Sequence, residues 1–210
     1  MTVGRIIETG ACVAEGADWL AAQVPEFARI LPLCTPLPLR RSPAGFGALL
    51  SAIVGQQVST ASAAAIWGRL EAAGLTTEPA VRATTEEELR SYGLSRPKAR
   101  YAKALAGADL DWESLAHLPD NQVIATLTAI TGIGQWTAEI YAMVALGRAD
   151  VFAAGDLALQ ESARIVFDLP DRPSEKTLRG MAADWSPWAA VAARLLWAYY
   201  RVAKQREGIR

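Results

Sequence analysis

Apolar residues along the chain recur at three- and four-residue spacing, and the breaks fall at glycine and proline. Alternating β-branched runs are scarce, so the pattern predicts an all-helical protein. A first helix is expected over about residues 16–30, ending before Pro32. Prolines at 32, 36, 38 and 43 keep regular helix out of PLCTPLPLRRSPAG, which reads as a connector. Helices follow over about 45–54, stopping at Gly55, and over about 60–73, capped by Ser59 and ended by Gly74. Thr84 or Thr85 ahead of Glu86-Glu87-Glu88 opens another, and Ser95 precedes the basic helix RPKARYAKALA. Asp120 starts a helix to about Ile130, and another runs over about 135–146, with Thr131-Gly132-Ile133-Gly134 between them. Asp156 begins a helix to about Phe167, Ser174 caps one to about Asp184, and Pro187 opens the last, to about Arg206.

Composition narrows the chemistry. The chain has 210 residues, 51% of them hydrophobic, enough for one large domain or two small ones. Its net charge of -1 argues against a protein that coats nucleic acid by bulk charge. A local basic groove, or a grip through backbone N–H groups, stays open. Cys12 and Cys34 have no metal-ligand spacing and are too few for an iron–sulfur cluster. His117 is the only histidine, so chemistry falls to carboxylates, backbone and water. No stretch has the ~18–20 uninterrupted apolar residues of a membrane span, and a soluble intracellular protein is expected.

Two helices joined by Gly132-Ile133-Gly134 read as a helix-hairpin-helix. The first glycine permits a positive φ, and the second lets the backbone approach a partner closely. N–H groups opening the next helix make a phosphate site at the positive end of its dipole. Gly-x-Gly alone is a weak signal and reads first as an ordinary helical turn. A dinucleotide fingerprint fits worse, since no third glycine follows and the preceding segment is not a strand.

The wider pattern is more specific. FGALLSAIVGQQVS, GLSRPKARYAKALA, LTAITGIGQWTAEIYAM, DVFAAGDLALQ and WSPW…LLW occur in that order between Phe46 and Trp197. In them the chain resembles the helix-hairpin-helix DNA glycosylase superfamily, most closely its DNA-3-methyladenine glycosylase II group. The resemblance implies an all-α fold of two helical subdomains with a DNA-binding cleft between them. One is expected over 46–150, with the hairpin at 127–147, and the other over 1–45 plus 151–210. The compact form, without an additional N-terminal β-rich domain, is the expectation for residues 1–210.

The implied reaction is hydrolysis of the N-glycosidic bond of alkylated purines in double-stranded DNA by a monomeric enzyme. N3-methyladenine and N7-methylguanine are the implied bases, with ethenoadenine and hypoxanthine left open. Asp156 takes the catalytic place. As a bare Gly-Asp it reads as an N-cap, and the two roles are compatible, because a helix N-terminus favours the ionised carboxylate. Such an anion suits a cation-like sugar. Asp150 precedes the Val151-Phe152 element and fits less well. Relatives that cleave the strand carry a lysine two positions after the second hairpin glycine, where this chain has Trp136. Water is therefore the expected nucleophile.

A flipped base needs a pocket, and the aromatic walls implied are Trp136 and Trp197. The second pocket aromatic of the family falls at Ile140, with Tyr141 adjacent. Trp197 lies off the apolar line Trp188, Val191, Leu195, Tyr199 and Val202, on a face with Arg194, Tyr200, Arg201 and Lys204. Gly132, Gly134, Trp136 and Thr137 are the expected DNA-backbone contacts. Gln57, in the break Gly55–Ser59, is the implied wedge, although a polar interhelix turn explains it as well. Arg96, Lys98, Arg100 and Lys103 suit phosphate contacts or a solvated face. No cofactor is required. The family also implies a Na or Mg ion on the carbonyls of Thr128, Ile130 and Ile133. Two departures stand out: relatives often have proline where this chain has Ala153 or Ala154, and arginine where it has Ala189. Two readings remain as alternatives: a non-catalytic helix-hairpin-helix DNA-binding protein, and a glycosylase for other damaged bases.

Overall fold

A computed structural model describes residues 3–206. Among the described residues there are thirteen α-helices, one 3-10 turn and no sheet, only a lone antiparallel bridge between Ile6 and Arg148. The all-α class is as expected. The chain divides into two compact units, one built on Ser42–Tyr141 and the other joining Gly4–Arg41 to the chain from Ala142 onward. The breaks thus fall at 41/42 and 141/142, where the sequence pattern puts them at 45/46 and 150/151. The second break lies inside a helix, and just past it Ala142 and Met143 give their carbonyls to the N–H of Arg148 and the guanidinium of Arg194.

The first unit contains α3 (Phe46–Gly55), α4 (Thr60–Ala72), α5 (Glu78–Ala83), α6 (Glu86–Ser91), α7 (Arg96–Ala106), α8 (Trp112–His117), α9 (Asp120–Thr128) and the first part of α10 (Gln135–Val144). Helix α7 is its centre and packs on α3, α5 and α6. The buried face is made of Ala99, Ala102, Leu105 and Ala106, mostly small residues that let neighbouring backbones come close. Its two lysines fold inwards. Lys98 is buried and its Nζ donates to Val54 O at 2.8 Å. Lys103 Nζ donates to Arg82 O at 2.6 Å, Thr84 O at 2.7 Å and Val81 O at 3.2 Å. Each lysine thus answers orphan carbonyls at the C-terminus of a neighbouring helix, the negative end of its dipole. Of the four basic residues expected on an outward face, only Arg96 and Arg100 are exposed.

The second unit contains α1 (Gly10–Gln23), α2 (Pro25–Ile30), the 3-10 turn Leu31–Leu33, the end of α10, α11 (Leu157–Val166), α12 (Glu175–Ala183) and α13 (Ala189–Arg206). Helix α13 packs on α11, α1 and the 3-10 turn. It starts after Pro187 rather than at it, and every residue from Trp188 to Leu196 is buried. Trp185 gathers the aromatic core, with Phe27, Phe152 and Phe167 at 5.2, 5.3 and 5.8 Å between ring centres. The first helix begins at Gly10, not near 16, because Thr9 caps it by accepting the N–H of Cys12. It ends at Gln23, where Pro25 opens a separate helix.

Gly16 tests this packing. A Cβ there would stand 2.7 Å from the Trp188 ring and 2.8 Å from the Val191 side chain. The helix propensity gained by alanine, about 0.5–1 kcal/mol, is smaller than an overpacking cost of about 1–3 kcal/mol. Gly16→Ala is therefore expected to lower Tm. At Gly180, in the exposed part of α12, a Cβ meets nothing, so Gly180→Ala is expected to raise it. Thermal unfolding followed by circular dichroism checks both signs.

Candidate functional site

The hairpin is built from α9, the segment 129–134 and α10. Gly132 has φ +94, a conformation that side chains resist. A Cβ there would also overlap the ring of Tyr101, which lies against this turn from α7. Ile133, between the two glycines, is buried and anchors the turn in the core. Gly134 is exposed, and a Cβ on it would meet nothing. The two glycines therefore differ: one is required by the fold, the other leaves a bare backbone facing outwards. The first intrahelical bond of α10 runs from Ala138 N to Gly134 O at 3.0 Å, so the N–H groups ahead of it belong to the positive end of the helix.

Trp136 is 40% exposed, an unusual position for a tryptophan and one beside this backbone. The Thr137 side chain is buried, so any contact made by Thr137 falls to its main chain. Ile140 is half-buried. Tyr141 belongs to the core: it is 4% exposed, and its hydroxyl accepts the Gly45 N–H at 2.9 Å. Burial pushes its phenol up from the ordinary value, against the pull of that hydrogen bond. Ile130 O already accepts the Ile133 N–H at 3.0 Å, and Thr128 directs its hydroxyl back to Ile124 O and Ala125 O.

Gln57 lies in the turn between α3 and α4, exposed, with φ +54. A left-handed non-glycine residue costs of order 1–3 kcal/mol and persists only where its surroundings impose it. Its neighbour Gln56 donates from Nε2 to Gly132 O at 3.0 Å, tying this turn to the hairpin. Val58 adds an exposed apolar tip. Gln56 and Tyr101 are the hairpin's supports, and their part in it depends on contacts between segments far apart in the chain.

The second unit carries the carboxylate. Asp156 is the N-cap of α11 and half-buried. Its Oδ1 accepts the N–H groups of Ala158 at 2.9 Å and Leu159 at 3.0 Å, and the indole N–H of Trp197 at 3.3 Å. Donors aimed at one carboxylate oxygen fix its direction. The connector before it lacks a proline but is closed by other means. Ala153 and Ala154 are fully buried, Asp156 N bonds Ala153 O at 3.0 Å, and the buried Gln160 holds Ala154 O at 2.9 Å. Asp150 accepts the Ser186 hydroxyl at 2.7 Å, a fastening between the chain before Val151 and the start of α13.

Trp197 is half-buried, and it does not share an exposed basic face with Arg194. Arg194 is 1% exposed and donates to Leu39 O at 3.0 Å, Ala190 O at 2.7 Å, Met143 O at 3.4 Å and Arg40 O at 3.5 Å. Burial, with Arg40 and Arg41 nearby, pushes its guanidinium down to about 10, so it stays charged at neutral pH. The correction has a simple cause: the proline-rich connector has carbonyls with no helix to satisfy them, and a five-donor guanidinium fits that need. Ala189 is buried and apolar. Arg40 was not singled out by the sequence pattern, yet its guanidinium lies 4.8 Å over the Trp197 ring centre.

Comparison with known proteins now adds to this geometry. Residues 50–187 match the family described as HhH-GPD superfamily base excision DNA repair protein. This chain belongs to that superfamily. Its relatives include DNA-3-methyladenine glycosylase 1 of Schizosaccharomyces pombe, 28% identical over 77% of this chain and 75% of that one. A structure of the S. pombe enzyme Mag1 in complex with abasic DNA superposes with a TM-score of 0.81 at 26% identity, over 90% of this chain and 98% of that one. A DNA-3-methyladenine glycosidase from Bacillus halodurans superposes with a TM-score of 0.78 at 32% identity, over 90% and 91% of the two chains. The aligned regions make up between 32% and 75% of the curated relatives' own lengths.

The two hairpin glycines predict opposite stabilities. Gly132→Ala places a methyl at positive φ against Tyr101 and is expected to cost about 2 kcal/mol or more. Gly134→Ala is expected to stay within about 0.5 kcal/mol of the parent. Urea denaturation of both variants measures the difference.

Proposed function

We propose that this HhH-GPD protein is a DNA-3-methyladenine glycosylase of type II, hydrolysing the N-glycosidic bond of alkylated purines in duplex DNA. The observation that carries the reading is the Asp156 carboxylate, oriented by two backbone N–H groups and the Trp197 indole. A glycosidic bond breaks through a cation-like sugar, and a fixed anion stabilises it without reorganisation. The same carboxylate orients or deprotonates a water. The relatives' names and the abasic DNA held by Mag1 point to the same substrate class.

The hairpin supplies the grip: Gly132 shapes the turn, Gly134 leaves the backbone bare, and the N-terminus of α10 receives a phosphate. Gln57 fills the gap left by the flipped base. Trp197 is an aromatic wall beside the carboxylate, and Trp136, with Ile140 beside it on α10, is an aromatic surface beside the hairpin. Tyr141 is left to the core. Carbonyls of Thr128, Ile130 and Ile133 are hard oxygen donors of the kind Na or Mg ions take, and such an ion would stiffen the hairpin. With Trp136 in the position of a Schiff-base lysine, water attacks the sugar and the abasic strand stays intact. The enzyme acts as a monomer on double-stranded DNA, in the cytoplasm with the nucleoid. No helix among the described residues is long and apolar enough to cross a membrane.

Asp156→Asn tests the assignment cleanly, since asparagine is as good an N-cap as aspartate and the fold should hold. On methylated duplex DNA the parent is expected to release N3-methyladenine and N7-methylguanine without strand nicking or borohydride-trapped adducts. The variant is expected to lose at least 100-fold in single-turnover release, in line with the loss of a group that acts on the transition state. Release at the parental rate by folded Asp156→Asn would refute the role of the carboxylate, and a trapped covalent adduct would refute water as the nucleophile.

A further inference from the structure

Three N–H donors meet Asp156 Oδ1, and they are not held equally. Those of Ala158 and Leu159, at 2.9 and 3.0 Å, are main-chain groups that α11 itself fixes. The third, at 3.3 Å, is the indole of Trp197, a half-buried side chain whose direction depends on what lies against its ring. Arg40 lies there, with Cζ 4.8 Å from the ring centre. Its own starting point is fixed: the backbone is left-handed, with φ +48, and its carbonyl and that of Leu39 accept hydrogen bonds from the buried guanidinium of Arg194. A continuous chain of contacts therefore runs from Arg194 through Arg40 and Trp197 to the carboxylate.

We propose that Arg40 is a positioning residue for the carboxylate: by lying on the ring of Trp197 it keeps the indole N–H directed at Asp156. The proposal rests on the reading of Asp156 as the group that acts on the sugar. Two effects work together. The ring orientation that meets Asp156 is also the one that keeps the guanidinium contact, so leaving it forfeits cation–π attraction. The cation also draws electron density from the ring, which makes the N–H a stronger donor to an anion. A further effect opposes these two. Arg40 is near enough to Asp156 for each charge to feel the other, so the guanidinium also disfavours positive charge on a sugar at that carboxylate. Orientation and charge are separable, because only the first acts through the indole N–H.

The test is a double-mutant cycle in the intact protein. Arg40→Asn removes the cation with a residue that tolerates a left-handed backbone, and Trp197→Phe keeps a ring but has no N–H. The rate measured is single-turnover release of methylated purines at saturating enzyme, which sets aside changes in DNA affinity. The direct effect of the Arg40 charge on the sugar is present in both backgrounds and cancels in the comparison. Arg40→Asn is expected to cost about two- to five-fold more with Trp197 present than in Trp197→Phe. The second readout is hydrogen exchange of the Trp197 indole N–H, followed by NMR, its resonance identified by its loss in Trp197→Phe. Exchange is expected to be about two- to five-fold faster in Arg40→Asn than in the parent. Equal fold-changes in the two backgrounds, a larger cost in Trp197→Phe, or unchanged exchange each overturns the proposal. Circular dichroism melts establish that the variants are folded; should Trp197→Phe not fold, the exchange rate decides alone. Release by the parent without coupling leaves the glycosylase reading intact and removes only the role of Arg40. Absence of any release by the parent removes both.

Discussion

The hydrogen bonds converging on Asp156 Oδ1 are the interaction on which the account of this protein turns. Two come from the first turn of α11, so the carboxylate is held by the same groups that any N-cap must satisfy. The third comes from α13, which makes the position of the carboxylate depend on the packing of α11 against α13. That packing rests on the run of buried alanines and leucines after Trp188. The cap of α11 and the carboxylate proposed to act on the sugar are therefore one group, and the packing that stabilises the cap also aims it.

The same economy governs the hairpin. A net charge of -1 would be a handicap for a protein that bound DNA through side-chain charge. The exposed backbone at Gly134 and the positive end of α10 offer a grip that needs no side-chain charge, and several basic side chains serve the interior instead. Lys98, Lys103 and Arg194 end on backbone carbonyls. These cations stabilise helix ends and the proline-rich connector. Arg194 also fixes the carbonyls of Leu39 and Arg40, the point from which the Arg40 side chain reaches Trp197.

Local signals were legible and long-range ones were not. The caps Ser59, Thr85, Asp156 and Ser174 all accept an N–H from the first turn of the predicted helix. Cap chemistry acts over three residues and needs no tertiary context. The six-residue helices Glu78–Ala83 and Trp112–His117 escaped notice because they are too short to repeat an apolar face. The positive φ at Gly132 could be read from its residue type, and that at Gln57 could not, since glutamine has no intrinsic preference for it. Arg194 was expected on an exposed face because helical periodicity records which residues share a side, not what comes to cover it. Arg40 over Trp197 joins residues 157 positions apart, a distance no local pattern spans.

The central claim is that a preorganised anion at Asp156 stabilises positive charge on the sugar. The most direct measurement compares binding of two uncleavable duplexes, one with a neutral tetrahydrofuran in place of the sugar and one with a cationic pyrrolidine. The account predicts that the parent prefers the cationic analogue by at least about 100-fold, as expected for a mimic of the transition state, and that Asp156→Asn loses most of this preference. An equal preference in parent and variant would contradict it.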